Sequence, residues 1–365
     1  MAAAPRVLLL ALRDDWLGPP RLAAALAAAG LEIAAICPDE GPLAASRYLS
    51  QRHPFSRRQP PSLDQLMAAF RDGAPRRVLP MDDAAVLLLR RLTLLQPPLP
   101  ESTRQLLGAP GDPQRASDWL DKAGSQALAR KVGVQVPDWL LWPAAAPLPR
   151  EARQLGLPLV VKPVIGYGGV GVRIVRTTAE LAALPAPPRP LILQRCIPGE
   201  TWACGFYAEQ GRVLAAFCAA KERQHPADTG PSSRLRIAAQ PALRAMTEAL
   251  VAASGYGGFG SLDAQIDGDG QVWFLECNPR PTPFLHLGAQ AGPDLCAALA
   301  AAIAGKSYSE RPLKRASWRV ALYPQELLRD PQGADLGGAE WDRPVDDPPL
   351  MAWLQRWLRD QNAAG

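Results

Sequence analysis

Short, almost continuous apolar runs open the chain and alternate with a segment rich in Ala and Leu. Residues 7–12 (VLLLAL) and 31–37 (LEIAAIC) are typical of strands that are buried on both faces of a sheet. Between them, the pattern predicts a helix over about 20–29 that Gly30 ends. This strand–helix–strand order predicts the opening of a parallel sheet.

A further strand is expected in RRVLPMDD (76–83), whose final aspartates would cap the helix that follows. The first strand-to-helix turn, RDDWLGPP, lacks the GxGxxG pattern that lets a pyrophosphate approach the backbone, which argues against an ordinary dinucleotide fold. The Pro-rich stretch 96–103 then predicts the end of this first, Rossmann-like unit.

The pattern changes in the second half of the chain. Residues 112–139 predict one helix that Gly133 ends, followed by extended chain from Pro137. From residue 156 onward, short apolar strands are separated by Gly and Pro turns. We expect an α/β (α+β) protein with four units: an N-terminal domain at 1–98, a subdomain with a glycine-rich loop at 99–190, a second subdomain at 191–305, and a C-terminal extension packed on the core at 306–365.

A glycine-rich hairpin, LVVKPVIGYGGVGVRIV (159–175), carries the first candidate chemistry. The four glycines between residues 166 and 171 remove side chains from its tip, so backbone N–H groups can close over phosphate oxygens. Lys162 alternates with apolar neighbours and points to one face of its strand, within reach of a nucleotide. Taken alone, the motif fits a plain glycine-rich turn with a surface lysine equally well.

A second hairpin, SLDAQIDGDGQVWFLECNPRP (261–281), collects acidic side chains. Pairing across its DGDG turn would place Asp263 nearly opposite Glu276, with Asn278 on the same face as Glu276. Facing carboxylates destabilise a sheet unless a cation lies between them. All-oxygen ligation of this kind suits Mg²⁺ shared with nucleotide phosphates. An exposed acidic turn would explain the aspartates of DGDG, but not Glu276, which is embedded in VWFLEC.

In this order, the glycine-rich hairpin and the D…E-x-N-x-R pattern resemble the ATP-grasp superfamily, specifically its carboxylate–amine ligase branch of carbamoyl-phosphate-synthase-type and D-Ala–D-Ala-ligase-type enzymes. The resemblance covers about residues 112–305 and, less clearly, the whole chain. It implies an ATP-grasp fold behind the Rossmann-like domain, with ATP bound between two subdomains. It also implies Mg²⁺, replaceable by Mn²⁺, as the metal.

The resemblance assigns nucleotide-binding roles to individual residues. These are three phosphate-contacting lysines, the flap glycines, an adenine-reading hinge and an acidic ribose ligand: Lys122, Lys162 and Lys221; Gly168, Gly169 and Gly171; Gln194, Arg195, Cys196 and Ile197; and Glu200. Gln194 stands where the family often has an acidic residue, but its amide oxygen still offers an acceptor for the adenine amino group.

The resemblance also implies the reacting centre. Its three metal ligands would be Asp263, Glu276 and Asn278. Arg280 would face the acyl phosphate, and Lys221 would contact the triphosphate during catalysis; the alternative for Arg280 is a structural ion pair with a carboxylate such as Glu276. Ser261 stands where peptide-ligase relatives have Arg, so Arg280 or an arginine of the loop 222–236 would neutralise the acyl group, and the substrates stay unnamed.

The polar, turn-rich segment 222–236 is expected to be a loop that closes over the site. Its side chains that could touch substrate or γ-phosphate are His225, Ser232, Ser233 and Arg234. A plain solvated loop is nearly as well supported by the residues. For His286, a structural role is favoured over a place in the acceptor site.

The function that these motifs predict is an ATP-dependent ligase that activates a substrate carboxylate as an acyl phosphate and couples it to an amine. The substrates would be small and amino-acid-like, and homodimers are common in the family. Two alternatives stay open: a non-amide ATP-grasp enzyme (a carboxylase or acyl-CoA-type ligase) and an ATP-binding protein without turnover. The chain shows no biotin-carrier or CoA-binding module for the first, and the intact set of three metal ligands argues against the second.

Composition limits the class of protein, its partners and its cellular location. With 48% hydrophobic and 21% charged residues over 365 positions, the chain is typical of a globular protein of two or three domains. Its net charge of +5 comes from scattered basic residues, not from a basic stripe with interleaved aromatics, so we expect no nucleic-acid partner. No apolar run suits a signal peptide or a membrane span, and the six Cys lack metal-ligand spacing. We therefore expect a cytoplasmic protein with reduced thiols and no membrane partner.

Overall fold

The computed structural model describes residues 4–108, 111–166, 168–227, 229–333 and 335–364, with side chains as far as Gln361. Within these ranges the strands form three sheets: a parallel four-stranded sheet, a small antiparallel four-stranded sheet and a seven-stranded sheet. Among the helices in the same ranges, none combines the length and the apolar character that crossing a membrane requires.

The N-terminal domain is built on the parallel sheet. Its strands are β1 (Arg6–Leu10), β2 (Glu32–Pro38), β3 (Leu49–Phe55) and β4 (Arg77–Pro80), in the spatial order β3-β2-β1-β4. Its helices are α1 (Gly18–Ala28), α2 (Leu63–Arg71), α3 (Asp83–Leu92) and α4 (Glu101–Gly108). Leu8 and Leu9 point to opposite faces of β1 and are both fully buried, so the sheet is covered on both faces, as predicted.

Two helices follow this domain. The prediction of one helix within 112–139 is wrong, because α5 (Pro113–Leu120) and α6 (Lys122–Lys131) are separate. Asp121 between them has an extended backbone, and its carboxylate caps α6 by accepting from the N–H of Ala123. An aspartate favours such a break because its side chain satisfies a free N–H group of the new helix. The break places Lys122 at the first position of α6.

The small antiparallel sheet comes next. Its strands are β5 (Trp139–Trp142), β6 (Leu159–Pro163), β7 (Arg173–Val175) and β8 (Leu191–Arg195), in the order β5-β8-β6-β7, and α7 (Thr178–Ala182) lies between β7 and β8 in the chain. Trp142 and Leu193 belong to a separate small core of this sheet. Because β8 pairs with β5 and β6, the sheet extends past the expected subdomain boundary at residue 190.

The seven-stranded sheet forms the centre of the rest. In spatial order its strands are β13 (Val272–Asn278), β12 (Gly258–Ile266), β9 (Glu200–Glu209), β10 (Arg212–Gln224), β11 (Ser232–Ala238), β14 (Ser317–Leu322) and β15 (Glu340–Asp342). The helices are α8 (Pro241–Ser254), α9 (Gly288–Ala291), α10 (Leu295–Ile303), α11 (Gln325–Arg329) and α12 (Pro348–Ala364). Successive residues of β9 enter two cores: Tyr207 packs with α1 and α10, and Phe206 with α5, α6 and α8. The sheet therefore has apolar cores on both faces.

The loop predicted at 222–236 is wrong for most of its length. Strand β10 continues to Gln224 and β11 begins at Ser232, so the connection is confined to residues 225–231. The polar residues are tolerated on these strands because they pair with one another, as Glu222 does with Arg234 at 3.7 Å. The C-terminal part also does more than pack on the core, since β14 and β15 extend the sheet beyond β11.

Candidate active site

A cavity of about 500 Å³ opens between the small sheet and the seven-stranded sheet. It is lined by the β6–β7 hairpin, by the chain after β8, and by residues of β10, β12 and β13, while Trp16 reaches it from the turn before α1. Most of the predicted site residues line it: Lys122, Lys162, Gly168, Gly169, Gln194, Arg195, Cys196, Ile197, Lys221, Asp263, Glu276, Asn278 and Arg280. Gly171 and Glu200 lie outside this lining.

The glycine-rich turn between β6 and β7 covers part of the cavity. Gly168 and Gly169 have φ angles of 59° and 76°, a region that favours glycine. A Cβ on Gly169 would lie 1.8 Å from the carbonyl oxygen of Thr229, so only glycine lets this turn approach the connection 225–231 so closely. Tyr167 lies outside the described residues. The two turns touch each other, and both line the cavity.

The second hairpin places Asp263 directly opposite Glu276, and this prediction is confirmed. Near the turn, however, Ala264 pairs with Phe274, a register that would set Asp263 against Leu275. Leu275 is an extra residue in β13 that forms a β-bulge and shifts the register by one position. The bulge therefore brings the two carboxylates together and leaves Leu275 without a partner on β12.

Two lysines from different elements neutralise the facing carboxylates. Lys221 on β10 places Nζ 2.5 Å from Asp263 Oδ2, and Lys122 at the start of α6 places Nζ 3.4 Å from Glu276 Oε2. Burial works to raise the pKa of the Glu276 carboxyl, but the neighbouring lysines outweigh it and hold this pKa below its ordinary value. Burial prevails at Asp263 and raises the pKa of that carboxyl. Such mixed, desolvated charge clusters are typical of functional sites.

Lys162 lies next to this cluster on β6. Its Nζ donates to the carbonyl oxygen of Leu275 at 3.3 Å. Burial lowers the pKa of the Lys162 ammonium to about 8, although Glu276 and Asp263 favour its charged form. An anionic ligand in the cavity would stabilise this charge, so the site is suited to bind one.

The donor set opposite the lysines consists of oxygen atoms. Asn278 ends β13 next to the Asp263–Glu276 pair, so two carboxylates and one amide line the cavity together. Within the described ranges, no group of three or more His, Cys, Asp and Glu side chains could hold a metal by itself. This set fits Mg²⁺ that takes its remaining ligands from phosphate oxygens and water. The lysine ammonium groups on both carboxylates show that the site requires positive charge at this position.

Residues of β6, β7 and β8 form an apolar slot that ends in an amide. Val160 and Ile174 are paired across β6 and β7, and both line the cavity. Gln194, opposite Val160 on β8, is only 2% exposed and donates through Nε2 to Gln126 Oε1 at 2.8 Å. Apolar walls with one oriented polar group are suited to a planar base.

Glu200, the predicted ribose ligand, is engaged elsewhere. Its carboxylate contacts Arg236 at 3.1 Å and accepts from Trp202 Nε1 at 3.1 Å. Thr201 and Gln265 line the cavity instead, joined by a hydrogen bond of 2.9 Å. Sequence reasoning missed both, although Gln265 follows Asp263 by two positions on β12 and so lies on the same face.

Arg280 is held in place by the N-terminal domain. Its Nε donates to Asp83 Oδ1 at 2.7 Å, and its guanidinium lies 4.5 Å from the centre of the Trp16 ring. The pairing with Glu276 that sequence analysis left open is thus replaced by one with Asp83. Four buried polar atoms of cavity-lining residues have no hydrogen-bond partner among the described residues: Arg195 Nε, Arg280 Nη1, Trp16 Nε1 and Thr282 Oγ1. These groups are therefore available to an oxygen-rich ligand.

The weaker candidates separate into two groups. Ser232 lines the cavity, whereas His225 is exposed in the connection and does not belong to the lining. Ser233 and Arg234 are buried on β11, where Arg234 donates to the Asp335 carbonyl. His286 Nε2 lies 2.8 Å from Asp342 Oδ2, both side chains are buried, and the structural role favoured for His286 agrees with this contact.

The sequence pattern of the ATP-grasp domain matches residues 121–283. This range begins at the aspartate that caps α6 and ends shortly after Arg280, so it contains all the predicted residues that line the cavity. Residues 121–283 form an ATP-grasp domain. The predicted superfamily and fold are therefore confirmed, with the parallel-sheet domain in front.

Curated relatives of the ATP-grasp domain include a D-alanine–D-alanine ligase of Synechococcus sp. (strain JA-3-3Ab), 29% identical over 223 residues that make up 56% of this chain and 66% of that protein. For the D-alanine–D-alanine ligase of Synechococcus sp. (strain JA-2-3B'a(2-13)), the identity is 30%, and the match covers 44% of this chain and 54% of that protein. The chain thus spans about half to two thirds of the curated relatives that it matches.

Solved structures show the same fold. The L-amino acid ligase of Bacillus licheniformis superposes with a TM-score of 0.59 at 17% identity, covering 83% of this chain and 75% of that one. The biotin carboxylase domain of the Hydrogenobacter thermophilus 2-oxoglutarate carboxylase, solved with MgADP and bicarbonate, gives a TM-score of 0.64 at 16% identity, covering 86% and 72%. Both likenesses concern the architecture of the chain.

Proposed function

We propose that this protein is an ATP-dependent ligase that activates a substrate carboxylate as an acyl phosphate and couples it to an amine. The observation that carries the proposal is the convergence on one cavity of three lysines, two facing carboxylates with Asn278, and a buried arginine with one unpaired nitrogen. This set matches the charges of a nucleoside triphosphate, its metal and a carboxylate.

The chain's own groups would bind two parts of ATP, the base and the triphosphate. The slot that Val160 and Ile174 line takes the base, with Gln194 at its end. The N–H groups of the glycine-rich turn, together with Lys122, Lys162 and Lys221, neutralise the triphosphate. Because the turn at Gly169 touches the connection at Thr229, the two turns exclude water from the reacting phosphate.

Asp263, Glu276 and Asn278 would hold Mg²⁺. A magnesium ion held by these residues would supply positive charge against the negative charge of the transferring phosphoryl group. With Asp263 and Glu276 engaged as metal ligands, Lys221 and Lys122 would turn from these carboxylates to phosphate oxygens. The same lysines thus serve the site with and without nucleotide.

The reaction needs positioned charges but no covalent nucleophile from the protein. An oxygen of the substrate carboxylate attacks the γ-phosphorus, the bond to the β–γ bridging oxygen breaks, and ADP leaves. The amine then attacks the acyl carbon, loses a proton and displaces inorganic phosphate. Arg280, aimed by Asp83 and Trp16, would offset the charge on the carboxylate and on the acyl phosphate through Nη1.

The names of the relatives support amino-acid-like substrates. The D-alanine–D-alanine ligases and the L-amino acid ligase are both named as ligases of amino acids. The hydrogen-bond donors of Arg280, Trp16 and Thr282 suit the carboxylate oxygens of such a molecule. We therefore place the substrates of this chain among amino acids or compounds of that size.

A carboxylase that activates bicarbonate is the second candidate, since the bicarbonate-bound biotin carboxylase domain shares the fold. A phosphate-release screen with ATP and Mg²⁺ separates the two. Amino acids are offered singly and in pairs, and bicarbonate is offered alone and with each amine. Phosphate release that requires both members of an amino-acid pair supports the ligase. Phosphate release that requires bicarbonate and no amino-acid pair supports the carboxylase. No release in any arm would contradict both.

A further inference from the structure

Three groups next to the base slot are joined by hydrogen bonds and form what we term the amide relay: the carbonyl of Leu275, the side chain of Gln126 on α6, and the side chain of Gln194 on β8. Gln126 Nε2 donates to Leu275 O at 3.2 Å, and Gln194 Nε2 donates to Gln126 Oε1 at 2.8 Å. Gln126 is fully buried and outside the cavity lining, while Gln194 lines the cavity. Gln126 therefore stands behind the residue that a base would touch.

The relay begins at the β-bulge. Because Leu275 has no partner on β12, its carbonyl is free to accept from side chains. Lys162 Nζ and Gln126 Nε2 both donate to this oxygen, at 3.3 and 3.2 Å. A carbonyl oxygen can only accept, so its two donors fill both lone pairs.

The direction of each amide follows from this starting point. Facing a carbonyl, Gln126 must present its NH₂ group there, and its oxygen therefore turns to Gln194. Gln194 in turn must present its NH₂ group to that oxygen. Its remaining atom, Oε1, accepts no hydrogen bond from the residues that the structure describes and belongs to a cavity-lining side chain. The slot thus ends in an acceptor, although a glutamine could have offered a donor.

We propose that Gln126 is a positioning residue that fixes the Gln194 amide with its oxygen toward the cavity and so selects 6-amino over 6-oxo purine nucleotides. An amino group donates to this oxygen, whereas the carbonyl of a 6-oxo purine meets it with another acceptor and leaves two unpaired oxygens. If the relay is broken, Gln194 can turn its NH₂ group to the cavity and accept the 6-oxo base. This inference rests on the proposed ATP site and concerns only its base selectivity.

The test compares two variants of Gln126 in the full-length protein. Gln126→Met has nearly the same volume but neither accepts from Gln194 nor donates to Leu275. Gln126→Glu still accepts from Gln194, so the Gln194 oxygen stays aimed at the cavity. Calorimetry with Mg²⁺ and the non-hydrolysable analogues AMP-PNP and GMP-PNP gives the ratio of their affinities, and both analogues carry the same phosphate charge, so an added carboxylate affects them alike.

We expect the ratio that favours AMP-PNP to fall about tenfold or more in Gln126→Met and to be retained in Gln126→Glu. A purely structural role predicts the reverse order of damage, because a buried carboxylate perturbs the fold more than methionine does. The matched control is Gln325→Met, at a buried glutamine outside the cavity lining, and it leaves the ratio unchanged. Gln126→Leu gives the same readout if the Met variant does not fold.

Three results overturn the inference: an unchanged ratio in folded Gln126→Met, an equal loss in Gln126→Met and Gln126→Glu, or parent protein that binds both analogues equally. Parent protein that binds neither analogue contradicts the proposed ATP site as well. Failure of the relay and failure of the proposed function are therefore distinguishable in one set of titrations.

Discussion

Arg280 and Asp83 form an ion pair between two domains. Arg280 follows β13 in the ATP-grasp domain, Asp83 is the first residue of α3 in the N-terminal domain, and the distance from Nε to Oδ1 is 2.7 Å. Asp83 takes the edge of the guanidinium that carries Nε and Nη2, so Nη1 is left for the cavity. The parallel-sheet domain thus orients Arg280 toward the candidate active site.

Removing the carboxylate should destabilise the protein. Asp83→Ala leaves a guanidinium that is 3% exposed without its charge partner, so we expect the free energy of unfolding to fall by about 3–5 kcal/mol. Denaturant titration measures this change. The control is Asp269→Ala in the exposed turn of the second hairpin, for which about 0.5 kcal/mol or less is expected. Equal losses in the free energy of unfolding for the two substitutions would show that the buried ion pair does not stabilise the fold.

Trp16 should affect the acyl substrate but not ATP. Trp16→Phe keeps an aromatic ring beneath Arg280 and removes the unpaired Nε1–H donor, so we expect KM for the carboxylate substrate to rise about tenfold while the affinity for Mg²⁺–AMP-PNP is unchanged. Steady-state kinetics with the substrate from the screen, together with calorimetry, tests this. Trp357→Phe on α12 is the control. If Trp16→Phe weakened AMP-PNP binding to the same extent, Trp16 would belong to the nucleotide-binding site.

The Arg280–Asp83 contact also shows what sequence reasoning cannot reach. The two residues are 197 positions apart, and nothing in the local pattern around either one indicates the other. The residues of the second hairpin were predictable because the turn and strand alternation are local. The bulge at Leu275 was not, since its cause is a register that depends on packing against α6 and β6.

Glu276 should be essential for turnover but not for folding. Glu276→Gln is nearly isosteric and removes one charge from the proposed metal ligands, so we expect kcat/KM to drop by several orders of magnitude, a loss of several kcal/mol in transition-state stabilisation. Thermal unfolding should show a folded protein. Glu248→Gln on the surface of α8 serves as the matched control and stays fully active. An active Glu276→Gln enzyme with unchanged Mg²⁺ dependence would remove Glu276 from the site.

The lowered pKa of Lys162 predicts that nucleotide binding depends on pH. Its pKa of about 8 in the folded protein lies below the ordinary 10.5, so the ammonium charge that phosphate requires is lost as the pH rises through 8. Affinity for Mg²⁺–AMP-PNP should therefore weaken from pH 7 to 9.5 in the parent but not in Lys162→Arg, which stays charged. Lys131→Arg, on the exposed end of α6, should titrate like the parent.

The lowered pKa of Lys162 also determines how the free energy of unfolding changes with pH. Between pH 8 and 10.5 the unfolded chain binds the proton that folded Lys162 has released, so the contribution of Lys162 to the free energy of unfolding rises over this window. Below pH 8 the lysine is charged in both states and the full burial penalty applies. Denaturant titrations of parent and Lys162→Met at pH 7.5 and 10 should therefore converge at the higher pH; a constant difference would contradict the shifted pKa.

Local patterns were weakest where polar residues lie on strands. Ser232 to Arg236 alternate poorly, and the sequence suggests a loop, yet β11 pairs with β10 on one side and β14 on the other. Arg234, which is buried on β11, pairs with Glu222 of the neighbouring strand. It also donates a hydrogen bond to the backbone carbonyl of Asp335. Glu222 lies in the same polar segment as Arg234, but their pairing depends on the alignment of β10 with β11, and the Asp335 carbonyl is distant in the sequence.

The central claim, activation of a carboxylate as an acyl phosphate, is tested most directly by trapping with hydroxylamine. The protein is incubated with ATP, Mg²⁺ and hydroxylamine, with each amino acid of the screen in turn, and the hydroxamate is measured by mass spectrometry. We expect a hydroxamate of one carboxylate substrate that requires ATP and is lost in Glu276→Gln. Release of ADP from ATP and that substrate, with no hydroxamate at any hydroxylamine concentration, would contradict it.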